Sequence, residues 1–338
     1  MSLDHQDAYE QYESFAEQFD PEALERRGQR HHAPRKRPSR PSLVDVVEAL
    51  AEPAGLEVGL QTTYRPGRFE QGWLLQSLGG FFEEGLITDV LALVKGGKEA
   101  NVYCCRAAPA LDHPLVAAKV YRPQQFRNLR NDAIYRRGRQ VLTDTGHALN
   151  KSNHREMRAL GKKTAYGRQL AHTSWLMHEY GTLQRLHAAG GAVPQPIAAA
   201  PNALLMAYAG DAQMAAPTLS GLSLGIAQLE RLFPKVVHNI ALMLSMGLVH
   251  GDLSAYNILY WQDDIVIIDW PQVVDIATNP HAHDIYRRDI LRIHSYFAPC
   301  LDQDAQTLAD ALWQTHVGPW APPIDWVDAE EGYDPHEG

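Results

Sequence analysis

The stretch LVHGDLSAYNILYWQDDIVIIDWPQ, residues 248–272, decides how the chain reads. It sets His250, Asp252 and Asn257 in one short segment and Asp269 at the end of the apolar run IVIID. Ile258–Trp261 and Ile265–Ile268 are expected as two short strands joined by Gln262-Asp263-Asp264. Such a hairpin folds Asp269 back towards Asp252 and Asn257. A carboxylate, an amide five residues later and a second carboxylate form a phosphoryl-transfer constellation. The first carboxylate can orient a hydroxyl or a water; the amide oxygen and the second carboxylate can hold Mg²⁺ against phosphates.

Composition bounds the rest. The chain has 338 residues, 45% apolar and 21% charged, an ordinary globular balance that suits two small lobes or one large domain with extensions. The net charge of −9 is unevenly spread. Residues 26–40 hold seven Lys/Arg and no acid, and residues 122–172 hold twelve against three acids. The last fourteen residues carry six acids and no Lys or Arg. Three cysteines, two of them adjacent (Cys104, Cys105), cannot make a disulfide framework, which favours a reducing, cytoplasmic location. The opening MSLDHQDAYEQYE has no apolar core and does not read as a signal peptide. No apolar stretch of about 18 residues exists, so no membrane partner is expected.

Taken in order, residues 1–41 are polar and Pro-punctuated and read as a disordered tail. Its basic run could touch RNA or a ribosomal particle, or simply be solvated. Residues 42–86 read as a helical extension: Ser42 and Asp45 make a helix start, and residues 73–86 have helical apolar spacing. A small winged-helix-like unit is the other reading. Three strands follow, Ile87–Val94, Ala100–Arg106 and Leu115–Tyr121. Lys119 sits in the apolar pattern of the third, where an ammonium is costly to bury without a partner. Glu179 shares the apolar face of a helix expected over Ser174–His187, beside Leu176, Leu183 and Leu186. Lys119 and Glu179 are therefore paired here as the Lys–Glu couple that positions phosphates, against the bland reading of a snorkelling lysine and a rim glutamate. Between them lies a basic insert, residues 123–171, too long for an ordinary loop.

Strands Ile197–Ala200 and Leu204–Tyr208 follow. In a two-lobed kinase this is where the lobes join; Met206 would line the pocket, and Ala207 and Ala209 would offer backbone groups to adenine. A plain strand exit is the alternative. Gln228–Ser245 reads as a helix capped by Gly247, and residues 284–298 as another, in which Asp289 either anchors the backbone of the 250–257 loop or is an ordinary helix acid. Residues 319–338 form an acidic, Pro-containing tail.

With these pieces assembled, the chain resembles the RIO family of atypical serine/threonine protein kinases, in the manner of a bacterial or archaeal member, from about residue 87 to 297. The specific elements are GKEANVY (97–103), AKVYR (118–122), Trp175 and Glu179 on one helix, HGDLSAYNIL (250–259) and IDWPQ (268–272). GKEANVY, in place of a G-x-G-x-x-G loop, is the most discriminating. The resemblance implies an α+β, two-lobed protein-kinase-like fold: a β-rich N-lobe (87–206), a mainly α C-lobe (207–318), and neither activation loop nor peptide-docking helices. It implies ATP between the lobes, contacted by Gly97, Lys98, Lys119, Glu179 and the Met206–Ala209 segment. Asp252 would be the catalytic base, Asn257 and Asp269 the ligands of Mg²⁺ (Mn²⁺ as an alternative ion), and His250 and Asp289 structural supports. In some family members the metal-binding Asp, here Asp269, is transiently phosphorylated.

The sequence also departs from the pattern. Lys95-Gly96 replaces the usual Ser-Thr. Asp269 precedes Trp-Pro, and proline fixes φ where a glycine would permit a flip. Ser254 stands where protein-kinase catalytic loops have Lys. Three functions are weighed: a Ser/Thr protein kinase with a protein substrate and autophosphorylation; an ATPase switch that binds RNA or a ribosomal particle through residues 26–40 and 122–172; and a small-molecule phosphotransferase, against which GKEANVY argues.

Overall fold

The computed structural model describes residues 62–97, 99–122, 133–149, 153–162 and 164–319. The basic tail, the helix start at Ser42, Lys98 and the acid-rich segment from residue 320 lie outside the described residues. Those described belong to one compact unit, Leu50–Gly338.

Five strands form one antiparallel sheet: β1 (Ile87–Gly96), β2 (Ala100–Ala107), β3 (Leu115–Tyr121), β4 (Pro196–Ala200) and β5 (Ala203–Ala207), in the order β1-β2-β3-β5-β4. The two-residue period of a strand sorts its side chains. Val116, Ala118 and Val120 of β3, with Ala203 and Leu205 of β5, pack on one face. Ala117 and Tyr121, with Leu204 and Met206, belong to the other. Lys119 therefore points to the second face, towards the cleft.

Helix α1 (Arg68–Glu83) covers the first face with Leu74, Leu78 and Phe81, a stripe at i, i+4 and i+7. It begins five residues before the expected segment. Glu70 fixes that start by accepting a bond from the Gly67 N–H at 3.3 Å. Within the stretch expected as an insert lie α2 (Ala133–Arg136), α3 (His154–Gly161) and the first turns of α4 (Ala165–Ala188). Helix α4 is longer than the expected Ser174–His187. Thr164 caps it by accepting from the Gly167 N–H at 3.1 Å. A Cβ on Gly167 would lie 2.1 Å from the Ala159 carbonyl oxygen, so this glycine lets α3 and α4 touch.

The second lobe is mainly helical: α5 (Ile226–Ser245), α6 (Ala282–Phe297) and α7 (Ala305–His316). The pair β6 (Leu248–Val249) and β9 (Val274–Asp275), and the hairpin β7 (Ile258–Trp261) and β8 (Asp264–Ile267), carry the opening stretch. Gln262 and Asp263 take φ of 51° and 61°, the left-handed pair of a tight hairpin turn. Only residues 276–281 separate β9 from α6, so no long segment stands where an activation loop would. The chain thus has the expected α+β organisation, a β-rich lobe followed by a mainly α-helical one. Among the described residues, no helix is long and apolar enough to cross a membrane.

Candidate active site

Lys119 is the junction of the site. Its Nζ donates to Glu179 Oε1 at 2.7 Å and to Asp269 Oδ1 at 2.8 Å. Three segments far apart in sequence meet at one ammonium: β3, α4 and the turn after β8. Glu179 is 1% exposed, and its other oxygen accepts from the Tyr121 hydroxyl. Burial alone would push the Lys119 ammonium down; the Asp269 and Glu179 carboxylates override it and hold the group well above its ordinary value. Burial would likewise push Asp269 up, but Lys119 holds it below the usual carboxylate range. Both charges therefore persist across the physiological range.

The 250–257 loop is wired to its surroundings atom by atom. Asp252 N–H donates to His250 Nδ1 at 3.2 Å, so Nδ1 is the unprotonated nitrogen and Nε2 donates to the Ile268 carbonyl, 3.1 Å away. Burial pushes His250 down to about 4, in keeping with this neutral tautomer. Asp252 accepts from Asn257 Nδ2 at 3.1 Å on Oδ2 and from Arg292 at 2.9 Å on Oδ1. Asn257 Nδ2 also donates to the Asp252 carbonyl at 2.9 Å, which turns its Oδ1 away from Asp252. Burial raises Asp252 above the usual carboxylate range, with Arg292 opposing.

Gly251 takes φ +86°, and a Cβ there would lie 2.2 Å from the Gln272 carbonyl oxygen. Only glycine allows the loop to pass so close to the IDWPQ segment. Its N–H donates to Asp289 Oδ2 at 2.9 Å, and its carbonyl accepts from Arg288. Asp289 is 2% exposed, and burial pushes it up to about 6, with Arg288 opposing. Asp269 itself takes φ +70°, the left-handed region that Asp tolerates better than most residues. The following Trp270 is buried against His250, with ring centroids 4.4 Å apart, and its Nε1–H donates to the Ile267 carbonyl.

At the lobe junction, Met206 lies opposite Ala117 in the ladder. The Ala207 N–H donates to the Gln195 carbonyl at 2.8 Å, and the Ala209 carbonyl accepts from the Ala216 N–H at 3.0 Å. Those two groups are thus engaged within the protein, and the groups that the expectation offers to adenine are the Ala207 carbonyl and the Ala209 N–H. Gly97 lies in the turn between β1 and β2, and its N–H donates to Asn101 Oδ1 at 3.4 Å.

Several residues here carry no role in the sequence reading. Arg292 was findable: it follows Asp289 by three positions and so shares its inward face. Tyr121 was findable by the strand period that exposed Lys119. Arg139 was not. It lies in the expected insert yet donates to the Pro271 carbonyl at 2.9 Å and to the Val273 carbonyl. Tyr135 from the same stretch is buried, and its hydroxyl accepts from Arg288 at 2.8 Å.

Asn257 Oδ1 and the Asp269 carboxylate supply hard oxygen donors, the kind that suits Mg²⁺. Among the described residues, no cluster of three or more His, Cys, Asp or Glu is arranged to hold a metal. Mg²⁺ at nucleotide sites takes one or two protein oxygens and completes its shell with phosphate and water oxygens.

A model of the RIO domain matches residues 101–307. Serine/threonine-protein kinase rio1 of Schizosaccharomyces pombe is 31% identical over 217 residues, 63% of this chain and 39% of that protein. The RIO-type serine/threonine-protein kinase Rio1 of Haloferax volcanii is 29% identical over 227 residues, 67% of this chain and 68% of that protein. The chain thus spans well under half of the yeast relative and about two thirds of the archaeal one. Among solved structures, the Rio2 kinase from Chaetomium thermophilum aligns with a TM-score of 0.46 at 18% identity, covering 75% of this chain and 74% of the other.

Proposed function

The chain belongs to the RIO family, and from that premise we propose that it is an ATP- and Mg²⁺-dependent serine/threonine protein kinase. The observation that carries this reading is the Lys119 bridge to Glu179 and Asp269 at 2.7 and 2.8 Å. It sets a cation where nucleotide phosphates would lie and holds it there from two sides.

In this reading adenine lies beside Met206, with its edge against the Ala207 carbonyl and the Ala209 N–H. Lys119 binds phosphate oxygens, and Glu179 keeps the ammonium in place. Asn257 Oδ1 and Asp269 hold Mg²⁺, which neutralises phosphate charge when bound. Asp252 accepts the proton of a Ser or Thr hydroxyl as that oxygen attacks the γ-phosphorus; the bond to the β–γ bridging oxygen breaks, and ADP leaves. Asn257 Nδ2 and Arg292 keep the Asp252 carboxylate turned to that task. His250, neutral, positions the loop through the Ile268 carbonyl and takes no proton.

A second reading is an ATPase switch that holds RNA or a ribosomal particle. It is favoured by the exposed Arg155, Arg158, Lys162 and Arg168 on α3 and the start of α4. In that case Asp269 itself receives the phosphate. Incubation with ATP labelled on the γ-phosphate separates the two. Phosphoserine or phosphothreonine withstands hydroxylamine at neutral pH, whereas an acyl phosphate on Asp269 is cleaved by it. Filter binding to ribosomal RNA over a salt series tests the basic surface, since phosphate contacts make affinity fall steeply with salt. No retention at low salt removes the RNA half of this reading.

A further inference from the structure

A polar chain runs from α1 into the β1–β2 turn, and the chemistry above makes no use of it. Glu70 accepts the Tyr103 hydroxyl proton on Oε1 and the Tyr64 hydroxyl proton on Oε2, the latter at 3.0 Å. Tyr103 is fully buried. Its one proton is committed to the carboxylate, so towards Asn101 its oxygen can only accept. Asn101 Nδ2 donates to it at 3.0 Å. That bond decides which way the Asn101 amide faces. Oδ1 is turned to the opposite side, where it accepts from the Gly97 N–H at 3.4 Å and from Arg122 at 3.2 Å. Asn101 is itself 5% exposed, so its amide orientation is fixed by protein atoms. Gly97 is closely approached as well: a Cβ on it would lie 2.7 Å from the Ala100 carbonyl oxygen.

We propose that Glu70 and Tyr103 are positioning residues for the phosphate end of the nucleotide site, acting through Asn101 on the backbone of Gly97. The proposal rests on the ATP reading given above. It makes α1, which precedes the stretch matched by the RIO domain, a working part of the site. Glu70→Gln reverses the chain's polarity. The glutamine NH₂ can donate to the Tyr103 oxygen, and the Tyr103 proton then turns towards Asn101. The Asn101 amide turns over to accept it, and Nδ2 is brought against the Gly97 N–H and the Arg122 guanidinium, donor against donor. Tyr103→Phe breaks the chain at its centre. Tyr64→Phe removes a Glu70 partner that lies off the path to Asn101 and serves as the control.

The test uses the full chain in two measurements. In nucleotide-free protein, hydrogen exchange over residues 96–101 is expected to quicken in Glu70→Gln and Tyr103→Phe and to match wild type in Tyr64→Phe. In binding and turnover, ATP affinity is expected to fall and KM for ATP to rise by about five-fold, the effect of one lost hydrogen bond, with adenosine affinity and kcat unchanged. A merely structural role would weaken ATP and adenosine alike. That result, or wild-type exchange at Gly97 in both variants, overturns the proposal. Wild-type protein that bound no ATP would sink the functional reading and the phosphate half of this one, while the exchange rates would still judge the link from Glu70 to Gly97.

Discussion

At the residue scale, the groups around Asp252 and Asp289 set the pH behaviour. Asp252 must be ionised to accept a proton, so activity rises as pH climbs through its pKa. Burial lifts that pKa and Arg292 opposes the lift. Arg292→Ala should therefore move the acid limb of the kcat/KM profile to higher pH; an unmoved limb would remove Arg292 from the account. Asp289 stands at about 6 against an ordinary 3.8. A raised acid binds its proton more tightly in the folded state, so its contribution to stability is complete below the unfolded value and is lost as pH rises through 6. Asp289→Asn keeps an acceptor for the Gly251 N–H but cannot titrate. Its melting temperature should lose the part of the pH dependence between about 4 and 6 that wild type shows. Asp289→Ala leaves that N–H and Arg288 without this partner and should cost about 3–5 kcal/mol, read from denaturant unfolding.

At the element scale, legibility followed the strength of the local pattern. Strand β3 was read to its ends because the run from Leu115 to Tyr121 is apolar and mostly buried, interrupted only by Lys119. The β7–β8 hairpin was legible for the same reason. Helix α4 was read too short. Its first turns, Ala165–Thr173, are polar and hold Gly167, whose value lies in contact with α3 and not in local helix preference. Helix α7 was missed although Asp304 caps it through the Thr307 N–H, a local signal that was available. The left-handed backbone of Asp269 could not be seen in sequence, because a single positive φ at a non-glycine residue leaves no periodic or compositional signal. Helix α1 was seen, but not that it closes one face of the sheet. Leu78 is 0% exposed in that interface. Leu78→Ala should cost about 2–5 kcal/mol in unfolding free energy; a change well under 1 kcal/mol would show that α1 is not part of the core.

At the scale of the whole molecule, the two lobes are joined at the site by charge. Lys119 on the sheet is held by Glu179 within its own lobe and by Asp269 from the other. Arg139, from the stretch between β3 and α4, adds a tie to the backbone after Asp269. Glu179→Gln should leave the fold intact while Lys119 loses one of its two anchoring charges, so KM for ATP rises with little change in melting temperature. Loss of the fold in that variant would instead make the pair a structural one. Most of the site was legible because phosphoryl transfer asks for few residue types at fixed spacing. Its support was less so, since Arg292, Arg139 and Glu70 act from elements whose contacts only the fold creates.

The central claim is that Asp252 takes the proton of an acceptor hydroxyl while Lys119, Asn257 and Asp269 serve ATP. Transfer of label from γ-labelled ATP, measured with ATP binding on the same samples of wild type and Asp252→Ala, tests it most directly. The account predicts transfer by wild type, a loss of about 10²–10⁴-fold in the variant, and ATP binding retained in both. Undiminished transfer by Asp252→Ala would contradict it.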